Sequence, residues 1–179
     1  DECVSIDIGA TNTVVIRKRK GAAPEFLNLG PMVRRHGGAL IVPTLLSAET
    51  NSIGAEVISD NPICCIKQLL LDGNPKGREY MDRFLKTLSQ RIKDAVSPSG
   101  WFSIFSKSFT EVIYITVPVG FTDYKNAVKE TAEKVFRGVK TELIEEPLAA
   151  AVGYQVVEDK DKLIMVVDFG GSTLNTMIV

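Results

Sequence analysis

One short pattern occurs twice in this chain, and it limits the possible folds more than any bulk property does. The first copy is Val4-Ser5-Ile6-Asp7-Ile8-Gly9-Ala10-Thr11-Asn12-Thr13-Val14-Val15-Ile16, and the second runs from Ile164 through Asp168-Phe169-Gly170-Gly171-Ser172-Thr173-Leu174-Asn175 to Val179. Each reads as apolar strand, Asp, apolar residue, Gly, small hydroxylated turn, apolar strand, which is a β-hairpin signature. Glycine lets such a turn adopt unusual dihedrals and approach a ligand closely. Successive N–H groups there form an anion-binding concavity. An Asp at the strand end holds a hard cation through oxygen or water. A single copy is an ordinary hairpin, because Asp and Gly are common turn residues. Two copies predict related lobes clasping one phosphate chain between facing hairpins. A lobe's length of sequence follows the first copy, and the chain opens Asp1-Glu2 rather than with Met. The expectation is a segment of a longer protein. Residues 1–162 would be a complete first lobe and 163–179 the first hairpin of a second.

Bulk properties narrow the class. A length of 179 residues suits one domain with a real core and a small subdomain. The formal net charge of −1 gives no reason to expect nucleic acid or an anionic membrane as partner. No apolar run approaches membrane-spanning length, and no signal-peptide pattern is present. Three cysteines, two of them adjacent (Cys64, Cys65), make no disulfide framework, and a lone histidine, His36, makes no zinc site. The cysteines read as small buried apolar residues in a reducing, cytoplasmic compartment.

Along the chain, Val4–Ile8 and Thr13–Lys18 form the first hairpin, with Arg17–Gly21 its solvated far turn. Glu25–Leu29 reads as a third strand, and the Gly37-Gly38 loop leads to a strand over Ala39–Val42. From Pro43 to Phe109 the pattern changes, as in a small inserted subdomain. Short strands are expected at Thr44–Ala48 and Ser52–Ile53, a helical turn at Gly54–Ile58, and a strong turn at Asp72–Pro75. Glu79–Val96 is the clearest amphipathic helix, with Tyr80, Phe84, Leu88 and Ile92 at four-residue steps. Ser97–Gly100 ends it, and the aromatics Trp101, Phe102, Phe105 and Phe109 are expected to fold back onto the lobe. Val112–Val117 reads as a buried central strand. Thr122 caps a helix over Asp123–Arg137 with Gly138 as its stop. Leu143-Ile144 is a short strand, and Glu146-Pro147 opens a helix that Leu148–Val157 continues. The small residues Ala149–Ala151 and Gly153 would permit close packing. Asp159–Lys162 is a charged loop before the second hairpin. The order β-β-β, insertion, β-α-β-α, β-β is an α/β layered domain.

These residues resemble a known superfamily. Asp7–Asn12 is similar to the first phosphate loop of the sugar-kinase, heat-shock-70 and actin ATPases. Val117-Pro118-Val119-Gly120-Phe121-Thr122-Asp123 looks like the family segment Val-Pro-Ala-Tyr-Phe-Asn-Asp, and Glu146–Ala151 like Glu-Pro-Thr-Ala-Ala-Ala. Asp168–Leu174 resembles the second phosphate loop. The motifs come in order across nearly the whole chain and look most like the Hsp70 nucleotide-binding domain. Asn61-Pro62 followed by Ile66-Lys67-Gln68 is similar to the Hsp70 segment that carries a catalytic lysine. The bacterial actin MreB shares the first loop and a run like Glu145–Ala151, so a filament-forming ATPase stays open as an alternative, and a catalytically weak Hsp70-like scaffold as a third reading.

The resemblance implies a ribonuclease-H-like, actin-like ATPase lobe with a mixed sheet flanked by helices and an insertion over about 43–109. It implies ATP or ADP with Mg²⁺ as ligands, and a stress-response chaperone as the whole protein. Co-chaperones and unfolded polypeptide would be engaged through regions beyond this segment. Implied phosphate contacts are Gly9, Ala10, Thr11, Asn12, Gly170, Gly171, Ser172 and Thr173, largely through backbone N–H groups. Asp7 and Asp168 would hold hydrated Mg²⁺, Lys67 would neutralise the terminal phosphate, and Glu146 would orient the attacking water, with Lys67, Glu146 and Asp168 as the catalytic set. Asn175 stands where Hsp70 has an Asp implicated in cation binding. Asn keeps an oxygen ligand and loses the charge, so hydrolysis is expected to be slow and Asn175→Asp to raise it.

Overall fold

A computed structural model of the chain describes residues 2–96, 110–155 and 163–178. The expectations for Ser97–Gly100, the aromatics of 101–109 and the loop Asp159–Lys162 fall outside these residues, as does the end of the Leu148–Val157 helix.

Alternating apolar residues build the centre of the sheet. Strand β1 (Glu2–Ile8) pairs antiparallel with β2 (Asn12–Arg19), from Glu2 opposite Arg19 to Ile8 opposite Thr13. A two-residue strand β3 (Glu25–Phe26) joins β2. Strands β4 (Arg34–His36) and β5 (Ala39–Pro43) form a hairpin around Gly37-Gly38, and β5 pairs with β2. Both glycines have positive φ, 54° and 88°, the combination that a two-residue hairpin turn matching strand twist requires. On the other side of β1 lie β6 (Val112–Val117) and then β7 (Lys140–Glu145), all three parallel. The strand order is β4-β5-β2-β1-β6-β7. This is a mixed sheet, and β6 is central, as the apolar run predicts.

Period-two patterning gives the sheet two different faces. Val4, Ile6, Ile8, Val15, Ile113, Ile115 and Val117 lie on one face and are essentially solvent-free. Helix α2 (Pro75–Val96) contributes Met81, Phe84, Leu85, Leu88 and Ile92 to the same core, and α3 (Thr122–Val135) contributes Tyr124, Ala127, Val128 and Ala132. Burial of each large side chain stabilises by about 1.5–3 kcal/mol, and Phe84→Ala would cost about 3–5 kcal/mol. Ser5, Asp7, Tyr114, Thr116 and Ile144 lie on the opposite face, which lines a cavity. Helix α1 (Ile66–Leu71) packs on α2 and α3, and α4 (Glu146–Gly153) packs against β7 and a separate two-stranded sheet, β8 (Met165–Phe169) with β9 (Leu174–Ile178). A mixed sheet flanked by helices is the architecture of an actin-like ATPase lobe.

Several local expectations are corrected. Glu25–Leu29 is a strand only over its first two residues; Leu27 and Leu29 instead turn inward as core. Thr44–Ala48 and Ser52–Ile53 form no strands, only bridges of Leu46 to Ile53 and Ile63. Arg17 is no solvated tip: it lies in β2 and donates two hydrogen bonds to the Glu2 carboxylate. Thr122 makes no side-chain cap, since Phe121 holds the cap position with φ 39°, and α3 stops two residues early, at Val135. Cys64 and Cys65 are exposed rather than buried. A side-chain carbon at Gly153 would meet nothing within 4 Å, so close packing in α4 falls to Ala151 instead. No helix among the described residues is long and apolar enough to cross a membrane.

Candidate functional site

The first loop is closed from within. The Gly9 N–H donates to the Asn12 carbonyl at 3.0 Å, and a side chain on Gly9 would collide with that oxygen. The loop is also braced from outside. The Thr44 N–H donates to the Thr11 carbonyl at 2.8 Å, and the Thr44 hydroxyl donates to the Gly9 carbonyl at 3.0 Å. Thr13 and Thr44 share a buried hydroxyl contact at 3.0 Å. Asp7 leaves the sheet beside Thr116, whose hydroxyl donates to its carboxylate.

The second loop repeats the closure. The Gly170 N–H donates to the Thr173 carbonyl at 2.9 Å. Gly9 and Gly170 therefore use their N–H groups to hold the loops shut, a correction to the expectation that these two N–H groups face phosphate. The loops come close to each other: a side-chain carbon on Gly171 would stand 3.3 Å from the Ala10 methyl. Ser172 carries a buried hydroxyl with no partner.

Between the loops, Lys67 from α1 forms an ion pair with Glu146 at the start of α4. Their side chains are 4% and 10% exposed. Burial pushes the Glu146 carboxyl above its ordinary range; Lys67 pulls it back, while Asp7 and Asp168 add to the rise. Asn175 donates to the other Glu146 oxygen at 2.8 Å and to the Thr173 hydroxyl at 3.1 Å, and its own oxygen accepts the Val119 N–H at 3.2 Å. Tyr124, from α3, is buried near the two acids Glu146 and Asp7, which together with burial raise its phenol far above the usual value. Its hydroxyl has no partner.

Asp7, Lys67, Glu146 and Asp168 all line one cavity of about 810 Å³, together with Gly9, Ala10 and Gly170–Thr173. Thr11 and Asn12 do not line it; they are exposed, with Asn12 Nδ2 bonded to the Thr11 hydroxyl at 3.2 Å. Asn175 is buried, and its oxygen faces a backbone N–H, so this geometry does not support the cation-ligand role expected of it. The residues missed from sequence are Thr44, Thr116, Val119 and Tyr124. Two had a signal: Val119 lies in the family-like segment Val117–Asp123, and Tyr124 stands three positions before Ala127 on the inner stripe of α3. The lining fits a hydrated cation on a phosphate chain: it offers the carboxylates of Asp7, Glu146 and Asp168, the ammonium groups of Lys18 and Lys67, two glycine turns and the orphan hydroxyl of Ser172.

Comparison with known proteins gives two likenesses. The family model described as MreB/Mbl protein matches residues 70–179, more than half of the chain. The chain is also 26% identical to the chaperone protein HscA homologs of Aliivibrio fischeri strains MJ11 and ATCC 700601 / ES114, over 98% of its own length. It spans about a third of those relatives, 32% of each. Both likenesses lead to the same superfamily of two-lobed ATPases, and the chain belongs to its MreB/Mbl family.

Proposed function

We propose that the whole protein is an Hsp70-like ATPase whose nucleotide state governs a polypeptide-binding region outside this segment. Residues 1–162 would be its first lobe, with a small subdomain inserted over about 43–109, and 163–179 the opening hairpin of the second. The observation that carries this reading is the ion pair between Lys67 and Glu146, 79 positions apart, inside the cavity lined by Asp7 and Asp168. The reach of the HscA likeness supports the chaperone branch. It covers nearly all of the chain, including Lys67, whereas the MreB/Mbl match begins at residue 70.

In this mechanism Asp7 and Asp168 would hold hydrated Mg²⁺, which would supply charge neutralisation on the phosphate chain. Ala10 and Gly171–Thr173 present N–H groups, and Ser172 its hydroxyl, to phosphate oxygens. Lys67 sets a positive charge beside the terminal phosphate. Glu146 accepts a hydrogen bond from the attacking water and orients it in line. Burial raises the Glu146 pKa and Lys67 partly offsets the rise, and a carboxylate with a raised pKa is the better base. The adenosine pocket would belong to the second lobe, so this segment alone should bind nucleotide weakly.

The test is calorimetry of the full-length protein with ATP and Mg²⁺, paired with phosphate release. Tight binding with slow turnover is expected, and no binding would sink the reading. The MreB/Mbl match favours a second reading, a filament-forming ATPase. Nucleotide-dependent pelleting without nucleotide-dependent release of unfolded peptide would select it.

A further inference from the structure

Asn175 is 3% exposed and is the only buried residue in β8 and β9 among the described residues. The hairpin's apolar residues are at most partly buried against α4, so the hydrogen bonds of Asn175 are its fully buried tie to the rest of the molecule. Those bonds reach three places: the backbone at Val119 between β6 and α3, the Glu146 carboxylate at the start of α4, and Thr173 in the second loop. The amide orientation follows from its partners. The NH₂ group must face the carboxylate and the hydroxyl, and the oxygen must face the N–H, because the flipped amide would set oxygen against carboxylate. Glu146 is thereby gripped at both oxygens, by Lys67 on one and Asn175 on the other.

We infer that Asn175 is a positioning residue that moors the second hairpin to the first lobe and fixes the rotation of the Glu146 carboxylate, a role that requires an uncharged amide. Aspartate at this position has no N–H to give, and it would place a second carboxylate against the first, where both cannot comfortably ionise. The geometry at position 175 therefore calls for an amide, with a donor for Glu146 and Thr173 and an acceptor for Val119. The catalytic half of this inference rests on Glu146 being the water-orienting group; the mooring half does not.

The experiment uses the full-length protein and the variants Asn175→Asp and Asn175→Ala. Both should lower kcat, on the order of 10²-fold, because a misaligned catalytic group loses that much. KM for Mg·ATP and the Mg²⁺ concentration giving half-maximal rate should stay within about twofold, since no substrate or cation contact is removed. A higher kcat, or a lower Mg²⁺ requirement, in Asn175→Asp would overturn the inference in favour of cation binding. Loss in Asn175→Ala with full activity in the equally sized Asp variant would reduce Asn175 to packing. Amide hydrogen exchange judges the mooring without turnover. Val119 should be protected in the wild type and exchange at least about tenfold faster in Asn175→Ala, which removes the oxygen that accepts its N–H. An unprotected Val119 in the wild type, or unchanged exchange in Asn175→Ala, would overturn the mooring. Absence of turnover in the wild type would instead refute the ATPase reading and leave the exchange result standing.

Discussion

The two hairpins share a loop and differ in everything that supports it. Each closes its turn with a glycine N–H bonded to the carbonyl three residues on. The first is clamped in a sheet, with β5 on one side and β6 on the other, and Val4, Ile6 and Ile8 fully buried. The second stands as two strands, with Met165, Val167, Phe169, Leu174 and Ile178 largely exposed. The loop geometry is therefore a local property of Asp-x-Gly sequences, whereas rigidity is contributed by neighbours. One phosphate loop is a fixed wall. The other rests against α4 and is tied to the first lobe through Asn175, and Glu146 sits where the two meet.

The largest expected effect falls at that meeting point. Glu146→Gln in the full-length protein should reduce turnover by about 10²–10⁴-fold in phosphate release, or about 3–5 kcal/mol of barrier, with nucleotide affinity near normal. Retained turnover would remove Glu146 from the chemistry. Next comes local stability. Amides of β1 should exchange only through global unfolding, while those of β8 and β9 open at about 3 kcal/mol less. Equal protection would erase the contrast between the hairpins. A smaller effect separates the two glycines. Gly9→Ala drives a methyl into the Asn12 carbonyl within a braced loop and should cost about 2 kcal/mol in denaturant unfolding. Gly170→Ala meets the Thr173 carbonyl at 3.2 Å in a loop free to yield, and should cost below about 0.5 kcal/mol. Removing the brace itself, by Thr44→Val, leaves two buried partners unsatisfied and should cost about 1–2 kcal/mol.

The smallest effect is a shift in pH dependence. Burial disfavours the charged carboxylate, so the working, ionised form of Glu146 is lost as pH falls through a midpoint above 4.5. Lys67 lowers that midpoint, so Lys67→Met should move it upward in whatever activity remains. A midpoint unmoved by this substitution would show that the titrating group is not Glu146.

Much of this was legible in the sequence, for reasons that can be named. The loops could be read because their closure spans three residues, and α2 because one apolar stripe repeats from Met81 to Val96. Thr44 and Thr116 could not be read, because their value lies in where sheet register sets them beside Gly9 and Asp7. Thr44–Ala48 and Ser52–Ile53 read as strands because each combines apolar and β-branched character, yet Leu46 is satisfied by isolated bridges to two different segments. In the sequence Asn175 stands out for the charge it lacks. Its donors mattered more, and only three-dimensional placement reveals where they point.

Lys67 rides on α1, a helix of six residues. Its neighbour α2 has glycine at position 77, where a side-chain carbon would stand 2.5 Å from the Leu70 nitrogen and 2.6 Å from the Leu69 carbonyl carbon. The two helices thus meet backbone on backbone just past the lysine. In mechanical terms Gly77 is a fulcrum and α1 a short lever with the ammonium at its end. Any side chain at 77 would tilt the lever as a unit, because so short a helix has no length over which to bend. A surface helix distant in sequence from both phosphate loops thereby sets the aim of the charge between them.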